Sequence, residues 1–332
     1  MRIFHYTMHS GCAEDVKNLF EKYDVKLITH IPQNRQHQEY IINKQKSEYL
    51  WNVHSEDFLN SDVLIFSDTI PFSRSVLENM DKLSSDIKII LWVTNRFNYA
   101  VESDRNYYDL LNKVKNDPRI FFLYANKFEK VYLYNFVDLS SANEFFFNPY
   151  GRRNRKNFNL ENKKDLQNKL FVMSYQNEKQ FYPLYEKLNS LGVDFYSKKD
   201  WIPQNQYCGP YEIETCSAIL HIPYSWGTIV LWEYLSIGKT FILPSLNWLN
   251  NAYQKYPLFF QTCKSIDAIY NYSQWYCEEN RKLFIYFDDI DEIPKILDDT
   301  NLINQKSLNC FKKSKESNLQ NHAIIEDILN IK

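Results

Sequence analysis

The sequence predicts an α/β protein made of two parallel-sheet halves. Two observations lead there. Short apolar runs alternate with helical patterns, the signature of β–α–β units. That alternation stops in a charged, Asn-rich stretch and starts again at Leu170. The runs are nearly continuous, as in DVLIFS (62–67), IKIILWV (87–93) and RIFFLYA (119–125), which suits parallel strands covered on both faces.

In the first half, strands are expected at Met1–Thr7, Val25–His30, Asp62–Ser67, Ile87–Val93 and Arg119–Ala125. Helices are expected at Ala13–Lys22, Gln36–Trp51, Ser73–Leu83, Arg105–Val114 and Lys127–Phe136, the fourth ended by Asp117-Pro118. The stretch 151–169, GRRNRKNFNLENKKDLQNK, is poor in apolar groups and reads as a linker. After it come a strand at Leu170–Ser174, a helix at Gln180–Leu191 capped by Gly192, and a strand at Val193–Ser197. A short helix at Tyr211–Cys216 leads to a strand at Ala218–Pro223, a helix at Gly227–Ile237 and a strand at Thr240–Pro244. A further strand (Leu283–Phe287), a short helix (Asp291–Leu297, with Pro294 in its first turn) and a terminal helix (Leu308–Ile331) complete the chain. The expected domains are therefore 1–150 and 170–332, two Rossmann-like sheets facing a cleft, with the terminal helix packing back across both.

Composition excludes several classes. With 39 basic and 41 acidic residues there is no basic excess to hold nucleic acid. The cluster Arg152, Arg153, Arg155 and Lys156 reads as a solvated linker before it reads as a phosphate clamp. The six cysteines form no CxxC pair and fit no zinc spacing, so reduced thiols in a cytoplasmic setting are expected. The opening MRIFHYTMHSGC reads as a first strand and not as a signal peptide. No run approaches the roughly 20 apolar residues of a membrane helix, which leaves room only for peripheral contact with a membrane-attached acceptor.

The segment Ala218–Ser245, AILHIPYSWGTIVLWEYLSIGKTFILPS, is the most informative. It reads as a buried strand, a tight loop, a helix, a Gly stop and a second buried strand. Val230, Leu231, Tyr234, Leu235 and Ile237 share one helix face; Thr228, Glu233 and Ser236 lie on the other, with Ile229 and Trp232 among them. Glu233 is either a solvent-facing carboxylate or a polar group lining a ligand site. The flanks favour the second reading. Ligands of open α/β sheets bind beyond the carboxyl ends of strands, and a helix N-terminus offers free N–H groups to a diphosphate. Gly227 permits close backbone approach, and Ser225 or Thr228 can cap the helix or bond a phosphate oxygen. Glu233, further along, can accept from a ribose diol.

These residues resemble the donor-binding region of GT-B glycosyltransferases. The matching pieces are Tyr224-Ser225-Trp226-Gly227, then Leu231-Trp232-Glu233-Tyr234-Leu235, then Ser236-Ile237-Gly238-Lys239-Thr240. The resemblance is close over about 25 residues and implies a nucleoside-diphosphate sugar as donor, with Glu233 as the ribose-binding acid. Many retaining members carry a second glutamate eight residues earlier, where this chain has Ser225, and the Pro that follows Gly-Lys in the family is Thr240 here.

The same architecture brings Ser174 and Tyr175 near the diphosphate, although a polar turn explains them as well. Lys179, Lys198 and Lys199 are candidate counter-charges, and Trp201, Tyr207 and Tyr224 candidate base-stacking rings; surface charge and packing are the plainer accounts. In the first half, His9, Asp68-Thr69 and Thr94-Asn95-Arg96 fall at predicted strand carboxyl ends. His9 or Asp68 can serve as general base toward an acceptor hydroxyl if the reaction inverts configuration, and Asn95 and Arg96 can bind an acidic acceptor or a phosphate. Taken singly, a loop His, a helix-capping Asp and a surface Arg are the plainer accounts, but not for all three together. Asp288-Asp289 and Asp291 read as a helix N-terminal acid cluster and not as a metal-binding DxD. No P-loop, G-x-G-x-x-G or G-x-S-x-G is present.

The function expected is metal- and cofactor-independent transfer of a sugar from a nucleoside-diphosphate sugar to a glycan or other hydroxyl acceptor. The alternatives are a GT-B-like epimerase or phosphorylase, and a non-catalytic nucleotide- or glycan-binding protein.

Overall fold

The computed structural model describes residues 1–31, 42–98, 104–140, 142–152, 169–173, 181–197, 210–252 and 265–330. They fall into two compact units, Met1–Tyr150 with Ser317–Lys332, and Gly151–Glu316.

Unit 1 contains β1 (Arg2–Thr7), α1 (Ser10–Phe20), β2 (Lys26–His30), α2 (Lys44–Leu59), β3 (Val63–Ser67), α3 (Arg74–Leu77), β4 (Lys88–Val93), α4 (Arg105–Val114), β5 (Ile120–Tyr124), α5 (Lys127–Tyr134) and β6 (Asn143–Phe146). All six strands are parallel, in the order β2-β1-β3-β4-β5-β6. Every residue of β3, β4 and β5 is buried, as their unbroken apolar runs require. Phe4, Phe66, Leu91 and Phe122 from the strands meet Phe58, Phe72, Tyr107 and Leu133 from the connections in one core.

Unit 2 contains β7 (Leu170–Met173), α6 (Tyr182–Ser190), β8 (Phe195–Ser197), β9 (Ala218–His221), α7 (Ile229–Ser236), β10 (Phe241–Pro244), α8 (Leu246–Ala252), α9 (Ile266–Tyr272), α10 (Glu278–Arg281), β11 (Ile285–Phe287), α11 (Ile293–Asp298) and the start of α12 (Thr300–Asn330). Its five strands are also parallel, in the order β8-β7-β9-β10-β11. Each unit therefore begins 2-1-3-4-5, the doubly wound order whose winding reverses beside the first strand. The reversal lies between β1 and β3 in unit 1, and between β7 and β9 in unit 2. No helix among the described residues is long and apolar enough to cross a membrane.

Several elements differ from expectation for local reasons. The helix expected over Ser73–Leu83 is α-helical only at Arg74–Leu77, with a tight turn on either side. The Asn79 amide donates to the Ser75 carbonyl at 2.9 Å, a local bond that competes with helix continuation. Helix α2 starts after Asn43, whose side chain caps Lys46 N–H at 2.9 Å, and runs eight residues past Trp51 to Leu59. Helix α12 starts at Thr300, eight residues before Leu308, because Asp299 Oδ1 accepts from Leu302 N–H at 2.9 Å. Strand β6 and helices α8, α9 and α10 had no periodic apolar signal to mark them.

Candidate site at the carboxyl ends of the strands

In unit 2 the chain leaves β9 at His221 and enters α7 through Pro223–Thr228. Thr228 is the N-cap: its backbone is extended and its hydroxyl accepts from Leu231 N–H at 3.1 Å. The N–H groups ahead of Leu231 in that first turn have no carbonyl partner inside the helix, as at any helix start. Ser225 Oγ donates to the Gly227 carbonyl at 3.1 Å, which tightens the turn.

This loop is braced by a segment that the sequence left unremarked. Gln274 N–H donates to the Trp226 carbonyl at 2.7 Å, and Trp275 Nε1 donates to the Ser225 carbonyl at 3.0 Å. Asn280 Nδ2 in turn donates to the Gln274 carbonyl at 2.9 Å. The Gln274 side chain lies directly over Gly227, where a Cβ would come within 2.8 Å of its Cδ. Nothing in the local sequence Gln274-Trp275-Tyr276 marks this role.

Helix α7 is not a two-faced surface helix. Leu231, Trp232, Glu233, Tyr234 and Leu235 are all buried. Phe171 of β7 and Phe241 of β10 meet Tyr234 with ring centroids at 6.3 and 6.0 Å, which fixes the sheet-facing side. Gly151 covers another side, and its carbonyl accepts from Ser236 Oγ at 3.0 Å. Glu233 is therefore enclosed, with 3% of its surface exposed, so the solvent-facing account of this carboxylate does not hold. Tyr224 is half-buried, and Ser225 and Trp226 are buried. Tyr224 to Glu233 thus form one continuous, braced structure. Ser174 and Tyr175 lie outside the described residues, as do Lys179, Lys198, Lys199, Trp201 and Tyr207.

In unit 1 the carboxyl ends of β1, β3 and β4 are neighbours, and they carry His9, Asp68 and Thr94-Asn95-Arg96. His9 is exposed and caps α1, its Nδ1 accepting from Gly11 N–H at 3.0 Å. That bond leaves the proton of a neutral ring on Nε2. Asp68 is half-buried and accepts from Thr69 Oγ1 at 3.2 Å. Its φ of 63° makes it the one non-glycine residue in the left-handed region among those described. Such strain gathers at functional sites because the surroundings must enforce it. Beneath it, His5 Nε2 and Ser67 Oγ share a hydrogen bond of 2.8 Å, and burial lowers the His5 imidazole to about 3. Cys12 sits 3.7 Å from Thr94 Oγ1; burial first, then the Asp68 and Asp15 carboxylates, push its thiol up, so it holds no thiolate at neutral pH.

Asn95 Oδ1 accepts from Arg96 N–H at 2.9 Å. The Arg96 guanidinium also acts on Glu129, a residue the sequence reading missed. Glu129 is buried in the first turn of α5, and its N–H donates to the capping Asn126 Oδ1 at 3.0 Å. Burial raises its carboxyl to about 8 against the opposing pull of Arg96. The signal was present as Asn126-Lys127-Phe128-Glu129, the spacing of a capping box.

Among the described residues no group of three or more His, Cys, Asp or Glu is placed to hold a metal ion. Asp289 Oδ1 accepts from Asp291 N–H at 3.0 Å, a capping contact ahead of α11.

No family model and no curated protein matches this chain. Among solved structures it is similar to a putative UDP-N-acetylglucosamine 2-epimerase from Listeria monocytogenes. The identity is 11% and the TM-score 0.46, over 92% of this chain and 90% of that one. At that distance the likeness says nothing about the reaction of this chain.

Proposed function

We propose that this chain is a glycosyltransferase that uses a nucleoside-diphosphate sugar and needs no metal. The observation that carries the reading is the β9–α7 unit at the winding reversal of unit 2. It joins a glycine turn, a Thr-capped helix start and a buried carboxylate five residues beyond the cap. A rise of 1.5 Å per residue puts Glu233 about 7.5 Å along the axis from Thr228, a span comparable with that from a diphosphate to its ribose. In this reading the first-turn N–H groups of α7 stabilise the diphosphate as it leaves, and Glu233 accepts from the ribose hydroxyls.

Unit 1 supplies the acceptor side. Asp68 is the better general base, because an ionised carboxylate can take a hydroxyl proton directly. His9 accepts its capping bond through Nδ1 and offers Nε2–H, a donor, unless the cap opens. Asn95 and Arg96 would hold an acidic or hydroxyl-rich acceptor.

The test is incubation with a panel of nucleoside-diphosphate sugars, with and without glycan acceptors. A transferase releases nucleoside diphosphate and extends the acceptor. Conversion of the sugar without any acceptor would point instead to an epimerase, and no turnover to a binding protein.

A further inference from the structure

His221 ends β9, in register with Met173, the last residue of β7, so it stands where the winding of unit 2 reverses. Its face of the sheet follows from the register. Ile219 pairs with Phe171 on one side and Phe241 on the other, and His221 is two residues on, so all four side chains share a face. Tyr234 of α7 packs against Phe171 and Phe241, so this is the α7 face. The imidazole therefore lies at the carboxyl end of β9, on the side from which the loop to α7 departs.

Three rings enclose it. Centroid distances are 4.6 Å to Trp275, 5.9 Å to Tyr224 and 6.2 Å to Phe241. His221 is 1% exposed, and neither ring nitrogen has a hydrogen-bond partner of full geometry. A backbone hydrogen-bond contact with Met173 opposes the effect of burial and is outweighed by it. Burial lowers the imidazole to about 3, so the ring is neutral at physiological pH. A buried polar group left unpaired is costly, and native structures usually answer it with a ligand or water. Of the three rings, Trp275 and Phe241 are fully buried, whereas Tyr224 is half-buried. Tyr224 is thus the least buried wall of the cage.

We propose that His221 is a ligand-binding residue of unit 2, exchanging a hydrogen bond with a hydroxyl group of the molecule held at the carboxyl ends of β7 and β9. The proposal rests on the nucleotide-sugar reading of that site and adds a residue which that reading does not use. A neutral imidazole brings no charge to a phosphate. It has one N–H donor and one lone-pair acceptor, and a hydroxyl can answer either. The hydroxyl belongs to the ribose or to the donor sugar.

The experiment is calorimetric titration of wild type and His221→Phe with UDP, 2′-deoxy-UDP, UDP-glucose, UDP-N-acetylglucosamine, GDP and GDP-mannose, beside the ligand-free Tm of each protein. His221→Phe keeps an aromatic ring in the cage and removes both nitrogens. The expected result is a ligand-free Tm equal to or above that of wild type, with affinity for the tightest ligand down roughly tenfold. A ribose contact shows as a loss that already appears with the nucleoside diphosphate and disappears with its 2′-deoxy form. A donor-sugar contact shows as a loss confined to the nucleotide sugars. Equal affinity in the two proteins overturns the assignment and makes the ring a packing or water-binding group, while leaving the nucleotide-sugar reading intact. If wild type binds no member of the panel, both fall together. Should the variant fold poorly, the imidazole ¹⁵N shifts of wild-type His221 decide: a shift on adding the tightest ligand supports the contact, and no shift overturns it.

Discussion

Gly151 lies against the peptide that joins Trp232 to Glu233. Its φ is +72°, and a Cβ there would overlap the Trp232 carbonyl and come within 2.9 Å of Glu233 N. Only glycine permits this approach, which seals the helix carrying the buried carboxylate. Gly151→Ala combines left-handed strain with a backbone collision and is expected to cost about 2–4 kcal/mol. Gly192 is the control. It has a similar φ of +71° but nothing within 4 Å of its Cβ, so Gly192→Ala carries the strain alone, about 1–2 kcal/mol. Thermal denaturation of the two variants should show the larger Tm loss for Gly151→Ala; equal losses would mean that the contact with α7 contributes nothing.

Glu129 gives stability a pH dependence of definite sign. The unfolded carboxyl releases its proton near 4.5, whereas the folded one keeps it to about 8. The folded state therefore binds the extra proton between those values. The stabilisation is complete below pH 4.5 and is lost as pH rises towards 8, with a limiting slope of about 1.4 kcal/mol per pH unit. Glu129→Gln removes this term. The Tm difference between variant and wild type should move in favour of the variant from pH 5 to pH 8. A difference that stays constant over that range would place the ionised carboxylate in a well-solvated or fully paired setting.

Asp68 and His9 separate by role. Asp68→Asn keeps the size and hydrogen-bonding reach of the side chain and tolerates the left-handed backbone, but cannot take a proton. If Asp68 is the base, its turnover falls by about 10²–10⁴ with little change in Tm. His9→Ala should instead lower stability by about 1 kcal/mol through loss of the α1 cap, with a smaller effect on rate. Steady-state kinetics and melting curves on both variants check this. The reverse ranking of rates would make His9 the base.

The strands were legible in the sequence because parallel strands are buried on both faces; IKIILWV, DVLIFS and AILH needed no long-range information. The Thr228 cap and the Gly238 helix stop were legible for the same local reason. What escaped depended on packing between distant segments. Nothing near Gln274 announces that its side chain roofs Gly227, and Gly151 read as the start of a linker because its partner lies some eighty residues away. The burial of α7 on both faces escaped for the same cause: a helix sealed by a distant glycine can bury Glu233 as well as Leu231. Strand β6, Asn-Glu-Phe-Phe, is a half-buried edge without alternation, and only its register with β5 identifies it.

The central claim is that the Thr228–Glu233 helix start holds a nucleoside-diphosphate sugar. Its most direct test is titration of wild type and Glu233→Gln with the tightest-binding nucleotide sugar. The substitution preserves shape and removes the acceptor charge opposite the ribose. The account expects about tenfold or greater loss of affinity, from charge-assisted hydrogen bonds worth roughly 1.5–3 kcal/mol. A folded Glu233→Gln protein that binds the nucleotide sugar as tightly as wild type would contradict it.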